Sequence, residues 1–240
     1  MRLLELFSGT GSVGKVFKEQ GWEVVSLDWD PKAGADIVED IREWKYKSYP
    51  VGYFNCVWAS PMCTQYSRAR TTAKTPRNLV EANGLVQCAL AIIRYFNCPY
   101  FLENPQSGLL KSRKFMANLP FQDVTYCSYG YKYQKKTRIW TNTRWIPAQP
   151  LCNMKDCPAV VSGRHLQSAQ QGPARNGKEG RRSNDSNKLK ELYSIPAALV
   201  LEICQFVSRD QTTIEADVEH LLRPLGRELD VEEAEGLTGS

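Results

Sequence analysis

The chain is 240 residues long, with 42% hydrophobic and 24% charged residues. This composition is too apolar for a disordered protein, and there is no Gly-X-Y or heptad repeat, so we predict a globular protein. No apolar run approaches the roughly 20 residues that a membrane-spanning helix needs. The N-terminal residues show no apolar signal core and no cleavage site, so we expect a soluble intracellular protein without a secretion signal, in the cytoplasm or, in a eukaryote, the nucleus.

The net charge of +5 is unevenly distributed along the chain. Residues 1–208 carry 28 basic and 17 acidic side chains, whereas residues 209–240 carry three basic and nine acidic ones. A basic body suits a polyanionic partner such as nucleic acid, although ordinary solubility charge explains the same excess. The acidic end is predicted to be a solvated tail.

Strand-like and helix-like segments alternate over the first 145 residues. In chain order we predict a strand at 2–7, a helix at 12–20, strands at 22–27 and 35–38, a helical stretch at 41–47, a strand at 54–59, a helix at 78–95, and strands at 100–102, 124–126 and 138–141. Such alternation is typical of α/β proteins. We therefore predict an α/β fold with a doubly wound, mostly parallel sheet.

The alternation stops after Trp145. Residues 168–190 are polar and basic with no apolar period, which predicts a loop or a disordered segment. A helix is predicted at 195–207, where Pro196 suits the first helical turn, and another at 213–222. We divide the chain into a first domain at 1–145, a partly disordered linker region at 146–192, a helix returning to the first domain at 193–208, and the acidic C-terminal tail at 209–240.

A glycine-rich turn joins the first predicted strand to the first helix. Gly9, Gly11 and Gly14 allow a tight backbone turn that brings helix N-terminal amides close to a ligand. Asp28, at the end of the second strand, is placed to accept hydrogen bonds from ribose hydroxyls. This pattern predicts a cofactor site but not the cofactor, because nicotinamide, flavin and S-adenosylmethionine (AdoMet) folds share it.

A cysteine follows the fourth predicted strand, on a loop with Pro61. Chemistry in a doubly wound sheet gathers beyond the carboxyl ends of its strands, so Cys63 is a candidate nucleophile; the alternative is a structural loop cysteine. Glu103 ends the next strand, and Lys136 and Arg138 alternate along a later one, so these two cations share a face. A thiol, a carboxylate and cations together could attack and protonate an electron-poor ring. Alternatively, Glu103 is a solvated residue at a strand end, and Lys136 and Arg138 form an exposed basic edge.

The ordered series of motifs resembles the C5-cytosine DNA methyltransferases over roughly residues 2–142. Residues 5–14 (ELFSGTGSVG) look like the first AdoMet motif of that family, and residues 60–67 (SPMCTQYS) resemble the loop with its nucleophilic cysteine. Residues 103–105 resemble its Glu-Asn-Val motif, and residues 134–138 (QKKTR) its Gln-x-Arg-x-Arg motif. The resemblance implies the Rossmann-like fold of AdoMet-dependent methyltransferases, AdoMet as the cofactor and duplex DNA as the substrate.

The resemblance also implies roles for the matching residues. As cofactor-binding residues it implies Phe7, Ser8, Gly9, Gly11, Asp28, Trp29, Asp40, Ile41 and Ser60. As catalytic residues it implies Cys63, Glu103, Asn104, Gln134, Lys136 and Arg138. In the implied reaction the Cys63 thiolate adds to C6 of a cytosine flipped out of the duplex while Glu103 engages N3. Carbon C5 then takes the methyl group, and elimination releases 5-methylcytosine, with Arg138 stabilising the thiolate.

Several positions depart from the family pattern. Met62 replaces a proline, Thr64 a glutamine and Lys136 an arginine, and lysine lacks the planar fork of arginine. The region at 146–192 is short for a target-recognition domain, so we expect relaxed or very short sequence specificity unless a partner protein supplies recognition. The basic segment at 175–190 either tracks phosphates or is a solvated linker.

Two alternatives to a DNA methyltransferase remain open at this point. One is the same chemistry on RNA or on a free cytosine nucleotide, which the short recognition region suggests. The other is a catalytically degenerate accessory module that binds nucleic acid, which the substitutions around Cys63 suggest.

Cys152, Cys157 and His165 are three possible zinc ligands in the linker region. Their spacing is looser than that of an established zinc motif and no fourth ligand is evident, so the sequence alone does not predict a metal site. The alternative is a pair of packed or exposed thiols. Without a secretion signal, we expect the eight cysteines of the chain to be free thiols.

Overall fold

The structure, a computed structural model, describes residues 1–68, 70, 73, 75–167 and 191–209. The chain divides into two compact units, Met1–Glu202 and Ile203–Ser240. The second unit is described over residues 203–209, which are helical. The expectations for the loop at 168–190, its basic part at 175–190, the helix at 213–222 and most of the acidic tail lie outside the described residues.

A seven-stranded sheet in the order β3-β2-β1-β4-β5-β7-β6 forms the centre of the first unit. Its strands are β1 (Arg2–Leu6), β2 (Glu23–Asp28), β3 (Ile37–Val38), β4 (Cys56–Ala59), β5 (Tyr100–Pro105), β6 (Phe121–Thr125) and β7 (Lys136–Thr141). Neighbouring strands are parallel except β7, which is antiparallel to both β5 and β6. The predicted doubly wound, mostly parallel sheet is confirmed.

The strand order reverses between β1 and β4. The chain proceeds outward from β1 through β2 to β3 and then returns to place β4 on the other side of β1. At such a switch point the loops that follow the two strands separate and leave a crevice at the carboxyl edge of the sheet. The loops after β1 and β4 are the glycine turn and the cysteine loop, so the topology alone brings these two motifs to one crevice.

Two α-helices follow the predicted positions closely, α1 (Ser12–Glu19) and α2 (Leu79–Phe96). The start of α1 follows Gly11, whose φ of +66° is a conformation that glycine adopts without steric cost. The start of α2 is capped by Asn78, whose side chain accepts a hydrogen bond from the amide of Glu81. Residues 197–209 are helical as well, close to the helix predicted at 195–207.

The helical stretch predicted at 41–47 is wrong. Residues 41–43 form a turn, and only Tyr46–Ser48 form a short 3₁₀ helix. The Asp40 side chain accepts a hydrogen bond from the backbone amide of Arg42, which favours a turn over a helix. Ile41 and Trp44 are both buried in the core. Their separation of three residues therefore imitates a helical period without a helix.

The hydrophobic core includes side chains of α2 and of the central strands. It contains, among other buried residues, Leu4, Leu6, Val57, Ala59, Val86, Ala89, Ile92, Ile93, Phe96 and Leu102. In the described part of the chain two helices, Leu79–Phe96 and Glu191–Arg209, are long and apolar enough to cross a membrane by length and composition. The apolar face of α2 is buried in this core, and a buried core helix has the same length and apolar composition as a membrane-spanning one.

A short hairpin and a 3₁₀ helix also belong to the first unit. A two-stranded antiparallel hairpin, β8 (Val160–Val161) with β9 (Arg164–His165), lies in the region between the sheet and the second helical segment. A 3₁₀ helix at Tyr126–Tyr129 follows β6 directly. Cys127 lies on this 3₁₀ helix, and His165 ends the hairpin on β9.

Candidate active site

A cavity of about 640 Å³ lies beyond the carboxyl ends of β1, β2, β4 and β5. This volume is in the range of small-molecule and cofactor sites, which is roughly 300–1,000 Å³. The predicted residues that line the cavity are Phe7, Ser8, Gly9, Asp28, Trp29, Asp40, Ile41, Ser60, Cys63 and Glu103. The structure therefore places both groups of predicted residues, those for the cofactor and those for catalysis, around one space.

The glycine turn bends sharply at the end of β1. Phe7 has a φ of +58°, a left-handed conformation that costs a non-glycine residue of order 1–2 kcal/mol. The amide of the next residue, Ser8, donates to the carbonyl of Leu27 at 3.1 Å, so the turn is bonded to β2. The Ser8 hydroxyl is buried without a hydrogen-bond partner among the described residues. An unpartnered hydroxyl on the cavity wall suits a polar ligand atom.

Asp28 connects the glycine turn to the loop after β2. Its Oδ2 accepts a hydrogen bond from the Gly9 amide at 2.8 Å, and its Oδ1 accepts one from the Asp30 amide at 2.9 Å. Each carboxylate oxygen has further acceptor capacity, so both can still receive a ligand hydroxyl. The neighbouring Trp29 lines the same cavity and is 64% exposed, which leaves an aromatic face available for stacking.

Glu5 is a buried carboxyl group beneath the glycine turn, and the sequence analysis missed it. Its Oε2 accepts a hydrogen bond from the Gly14 amide at 3.0 Å. Burial raises the pKa of Glu5 to about 7, although the amides of Gly14 and Val13 partly oppose this effect. A Cβ at position 14 would collide with the Glu5 carboxylate, so a larger residue there would displace that carboxyl group. The available signal was an acidic residue between the leucines of strand β1.

Asp40 follows β3 and forms an ion pair with Arg42. Hydrogen bonds from the Arg42 guanidinium lower the pKa of Asp40 to about 2, and the Arg42 amide contributes in the same direction. The carboxylate is therefore ionised at every pH near neutrality. It lines the cavity next to Ile41, as the family resemblance implies.

The cysteine loop is fastened to the ends of two strands. The amide of Ser60 donates to the carbonyl of Leu6 at 3.2 Å, and the side-chain amide of Asn104 donates to the carbonyl of Pro61 at 2.8 Å. Cys63 is half-buried on this loop and lines the cavity. Burial raises the pKa of the Cys63 thiol, the charge of Glu103 raises it further, and the charge of Lys135 lowers it.

Glu103 has two polar partners at the end of β5. Its Oε1 accepts a hydrogen bond from the Tyr126 hydroxyl at 3.1 Å and lies 3.6 Å from the Nζ of Lys135. The Lys135 ammonium group also lies 4.7 Å from the centre of the Tyr126 ring. Cys63, Glu103 and Lys135 all line the cavity, so the structure assembles a thiol, a carboxyl group and an ammonium group. The sequence analysis missed Lys135 and Tyr126.

Arg138 lies on the other face of the sheet from Glu103. In the ladder between β5 and β7, Arg138 is opposite Asn104, whereas Glu103 is opposite Ile139. Directly opposite residues share a face and successive residues alternate, so Glu103 and Arg138 point to opposite faces. Arg138 instead donates two hydrogen bonds to Asp123, at 2.8 and 2.9 Å.

Lys136 lies on the same face of β7 as Arg138, two residues away, and its side chain is exposed. Of the predicted site residues, those that the structure does not place on the cavity wall are Gly11, Asn104, Gln134, Lys136 and Arg138. Asn104 still reaches the site through its hydrogen bond to the cysteine loop. The catalytic roles of Gln134, Lys136 and Arg138 stay predictions that rest on the family resemblance.

The segment before the helix at 197–209 contacts the glycine turn. The Ile195 amide donates to the Ser12 hydroxyl at 3.0 Å, and the hydroxyls of Ser194 and Thr10 are 3.2 Å apart. Tyr193 and Ile195 consequently line the cavity although they are far from the glycine turn in sequence. The sequence analysis placed a helix here but assigned no site residue to it.

The three possible zinc ligands of the linker region lie together, away from the cavity wall. The structure adds Cys127 to Cys152, Cys157 and His165, and their ligand atoms all lie within 4.8 Å of one another. Cys127 is a fourth possible ligand that the sequence analysis did not find, because it lies 25 residues before Cys152 in the chain.

Comparison with known proteins finds a relative in Frog virus 3 (isolate Goorha) that is named a probable DNA (cytosine-5)-methyltransferase. The two sequences are 31% identical over 221 residues, which cover 85% of this chain and 98% of the viral protein. No protein-family profile matches the chain.

Two solved structures show a more distant similarity. One is a DNA modification methyltransferase encoded within a prophage (E. coli), with a TM-score of 0.46, 14% identity, and coverage of 59% of this chain and 46% of that one. The other is the Dnmt2 methyltransferase of S. pombe, with a TM-score of 0.44, 18% identity, and coverage of 59% and 50%. The chain spans about half the length of each of these two proteins.

Proposed function

The chain belongs to the DNA (cytosine-5)-methyltransferase family, and from this premise we propose that its cavity binds AdoMet next to a cytosine that Cys63 attacks. The observation that carries the proposal is the continuity of the cavity. Its lining includes the glycine turn and Asp28 as well as Cys63 and Glu103. A methyl donor and an acceptor base can therefore occupy one continuous space.

The residues of the cofactor end suit AdoMet. The Asp28 carboxylate can accept from the ribose hydroxyls, and the exposed face of Trp29 can stack on the adenine. The unpartnered Ser8 hydroxyl and the Asp40 carboxylate add polar groups on the wall. Bound AdoMet supplies an electrophilic methyl group on its sulfonium.

Cys63 is the proposed nucleophile, and two charged groups beside it act on its thiol. The charge of Glu103 raises the pKa of the Cys63 thiol, whereas the charge of Lys135 lowers that pKa. Addition of the Cys63 sulfur to C6 forms a neutral thioether, while the thiol proton passes by way of the Glu103 carboxyl group to N3 of the ring.

This addition makes C5 of the ring an enamine carbon and hence a nucleophile. Once C5 has taken the methyl group and S-adenosylhomocysteine has been released, solvent takes the C5 proton. The N3 proton returns by way of Glu103 to the departing Cys63 sulfur, and the aromatic ring is restored. Tyr126 and Lys135 hold the Glu103 carboxyl group in place through a hydrogen bond and an ion pair. The Asn104 amide holds the backbone of the cysteine loop.

The proposed substrate is duplex DNA with the target cytosine flipped out of the stack. Carbons C5 and C6 are covered by neighbouring bases in a duplex, so both become accessible only after flipping. The 28 basic side chains of residues 1–208 supply charge for phosphate contacts. We propose that sequence recognition is short, or that a partner protein provides it, because residues 146–192 leave little chain for a recognition domain.

The activity is tested by transfer of labelled methyl groups from AdoMet to duplex DNA, single-stranded DNA and RNA. We expect 5-methylcytosine in duplex DNA with the wild-type protein and none with Cys63→Ala. Cys88→Ala is a matched control, since Cys88 lies on α2 and is not among the residues that line the cavity. If the protein binds AdoMet but forms no 5-methylcytosine in any of these substrates, the proposal is contradicted. If only RNA is methylated, the substrate is RNA rather than DNA.

A further inference from the structure

A second cluster of chemistry-bearing side chains lies outside the cavity. The sulfur atoms of Cys127, Cys152 and Cys157 and a ring nitrogen of His165 all lie within 4.8 Å of one another. All eight cysteines of the chain lie in its described part, and none of them is in a disulfide. Three unpaired thiols therefore converge on one imidazole.

Two distances within the cluster match the edges of a zinc tetrahedron. With Zn–S bonds of about 2.3 Å and Zn–N bonds of about 2.0–2.1 Å, tetrahedral angles require an S···N separation of about 3.5 Å. The Nε2 atom of His165 lies 3.5 Å from the sulfur of Cys152 and 3.5 Å from the sulfur of Cys157. A metal at the centre would fit this arrangement without large movement of the side chains.

The four ligands come from three separate pieces of the chain. Cys127 lies on the 3₁₀ helix at Tyr126–Tyr129, Cys152 and Cys157 flank a turn, and His165 ends the hairpin on β9. The turn contains Met154 with a φ of +68°, and its amide donates to the sulfur of Cys152. Such an outer hydrogen bond supports a metal-bound thiolate.

The segment at 150–167 lacks a hydrophobic core that could hold it in place. Only Ala159 of this segment is buried, whereas Leu151, Val161 and Leu166 are largely exposed. Small pieces of chain that bury so little apolar surface are usually stabilised by disulfides or by a metal. The segment has no disulfide, so the cluster is the feature that can fix its fold.

We propose that Cys127, Cys152, Cys157 and His165 bind one structural zinc ion. Three thiolates and one imidazole are a ligand set typical of zinc, and four protein ligands leave no open position for a substrate or a water. The ion therefore has no part in methyl transfer. It connects the segment at 150–167 to the element that follows β6.

The position of the site suggests why the ion matters for the enzyme. Cys127 directly follows Tyr126, whose hydroxyl donates to Glu103 in the cavity. The Cys152 amide donates to the hydroxyl of Thr125 at 2.9 Å, and the Ser128 hydroxyl donates to the carbonyl of Pro150 at 2.8 Å, so hydrogen bonds join the segment to the chain on both sides of Cys127. Zinc thus stabilises the backbone from which Tyr126 reaches the active site.

The proposal is tested by metal analysis of the full chain, purified under reducing conditions without chelators from cells supplied with zinc. We expect about one zinc ion per chain in the wild type and in Cys88→Ala, and loss of that zinc in Cys127→Ser and in Cys157→Ser. X-ray absorption at the zinc edge of the wild-type protein should show three sulfur ligands at about 2.3 Å and one nitrogen at about 2.0 Å. This second measurement needs no variant, so it stands even if the serine variants do not fold.

Three results would overturn the proposal. The first is wild-type protein without stoichiometric zinc, and the second is zinc retained in full by Cys127→Ser. The third is a coordination shell without sulfur, or a disulfide among the three cysteines of the soluble protein. None of these measurements depends on methyl transfer. The zinc proposal can therefore be disproved while the proposed function holds, and the proposed function can be disproved while the zinc proposal holds.

Discussion

The Nζ of Lys135 lies 3.6 Å from the Oε1 of Glu103, and both side chains line the cavity that contains the Cys63 thiol. The two charges act on the thiol in opposite directions, since Glu103 raises its pKa and Lys135 lowers it. Burial has the largest effect and raises the pKa as well. The free enzyme therefore holds Cys63 mainly as a thiol at neutral pH, and its activation depends on this neighbouring pair.

Substitutions in the pair should shift the thiol pKa in opposite directions. Lys135→Met removes the favourable charge and should raise the pKa of Cys63, whereas Glu103→Gln should lower it. The measurement is the pH dependence of Cys63 alkylation by iodoacetamide, followed by peptide mass spectrometry, because only the thiolate reacts. If Arg138→Met raised the pKa and Lys135→Met did not, the cation beside the thiol would be Arg138.

Arg138 should contribute to stability through Asp123. The two side chains form a bidentate pair that is mostly shielded from solvent, and the guanidinium stacks 3.4 Å from the centre of the Phe121 ring. Removing one partner leaves the other charge without compensation, so Arg138→Met should lower the free energy of unfolding by about 1–3 kcal/mol. Urea unfolding of both single variants and of the double variant with Asp123→Asn measures the coupling between them. Additive effects would show that the pair contributes nothing.

Glu5 should make the free energy of unfolding depend on pH. Its pKa is about 7 in the folded protein against an ordinary value of 4.5. Because the folded pKa is raised, the stability linked to Glu5 is fully present below pH 4.5 and is lost as the pH rises through about 7. The loss is at most about 3 kcal/mol, since one pKa unit corresponds to about 1.4 kcal/mol.

Glu5→Gln tests this linkage, because glutamine can still accept the hydrogen bond from the Gly14 amide but carries no charge. The difference in unfolding free energy between wild type and Glu5→Gln, measured in urea from pH 5 to pH 8, should change in favour of the variant as the pH rises. A difference that stays constant over this range would show that Glu5 is not a buried group with a raised pKa.

Trp29 should affect AdoMet binding but not stability. Its side chain is 64% exposed and lines the cavity, so replacing it with alanine removes a stacking surface without opening the core. We expect Trp29→Ala to weaken AdoMet binding roughly tenfold, the value of one aromatic stacking contact of about 1–1.5 kcal/mol. Calorimetric titration measures the affinity, and Val80→Ala, at an 86% exposed apolar position, is the control. Equal affinities for wild type and Trp29→Ala would place the adenine elsewhere.

The sequence predicts the parts of the fold that depend on local pattern. The alternation of strands and helices identifies the sheet, and the glycine turn and Cys63 follow strands that the topology brings to one crevice. The helix expected at 41–47 fails because Ile41 and Trp44 are buried from a turn rather than from a helix. Spacing alone does not distinguish these two cases.

The missed site residues depend on contacts between distant strands. Lys135 differs from Lys136 by one position, and only the pairing of β5 with β7 determines which face of the sheet carries Glu103. Cys127 joins the sulfur cluster only because β6 ends beside the segment at 150–167. No local sequence pattern predicts these contacts, because strand register and the position of each strand in the sheet are fixed only when the chain folds.

The most direct test of the central claim is covalent capture of Cys63 on duplex DNA that contains 5-fluorocytosine, in the presence of AdoMet. Fluorine at C5 cannot leave as a cation, so the thioether to C6 should persist after methyl transfer. The account predicts a denaturation-stable adduct whose DNA-bearing peptide contains Cys63, and no adduct with Cys63→Ala. An adduct that forms equally well with Cys63→Ala, or one mapped to another cysteine, would contradict it.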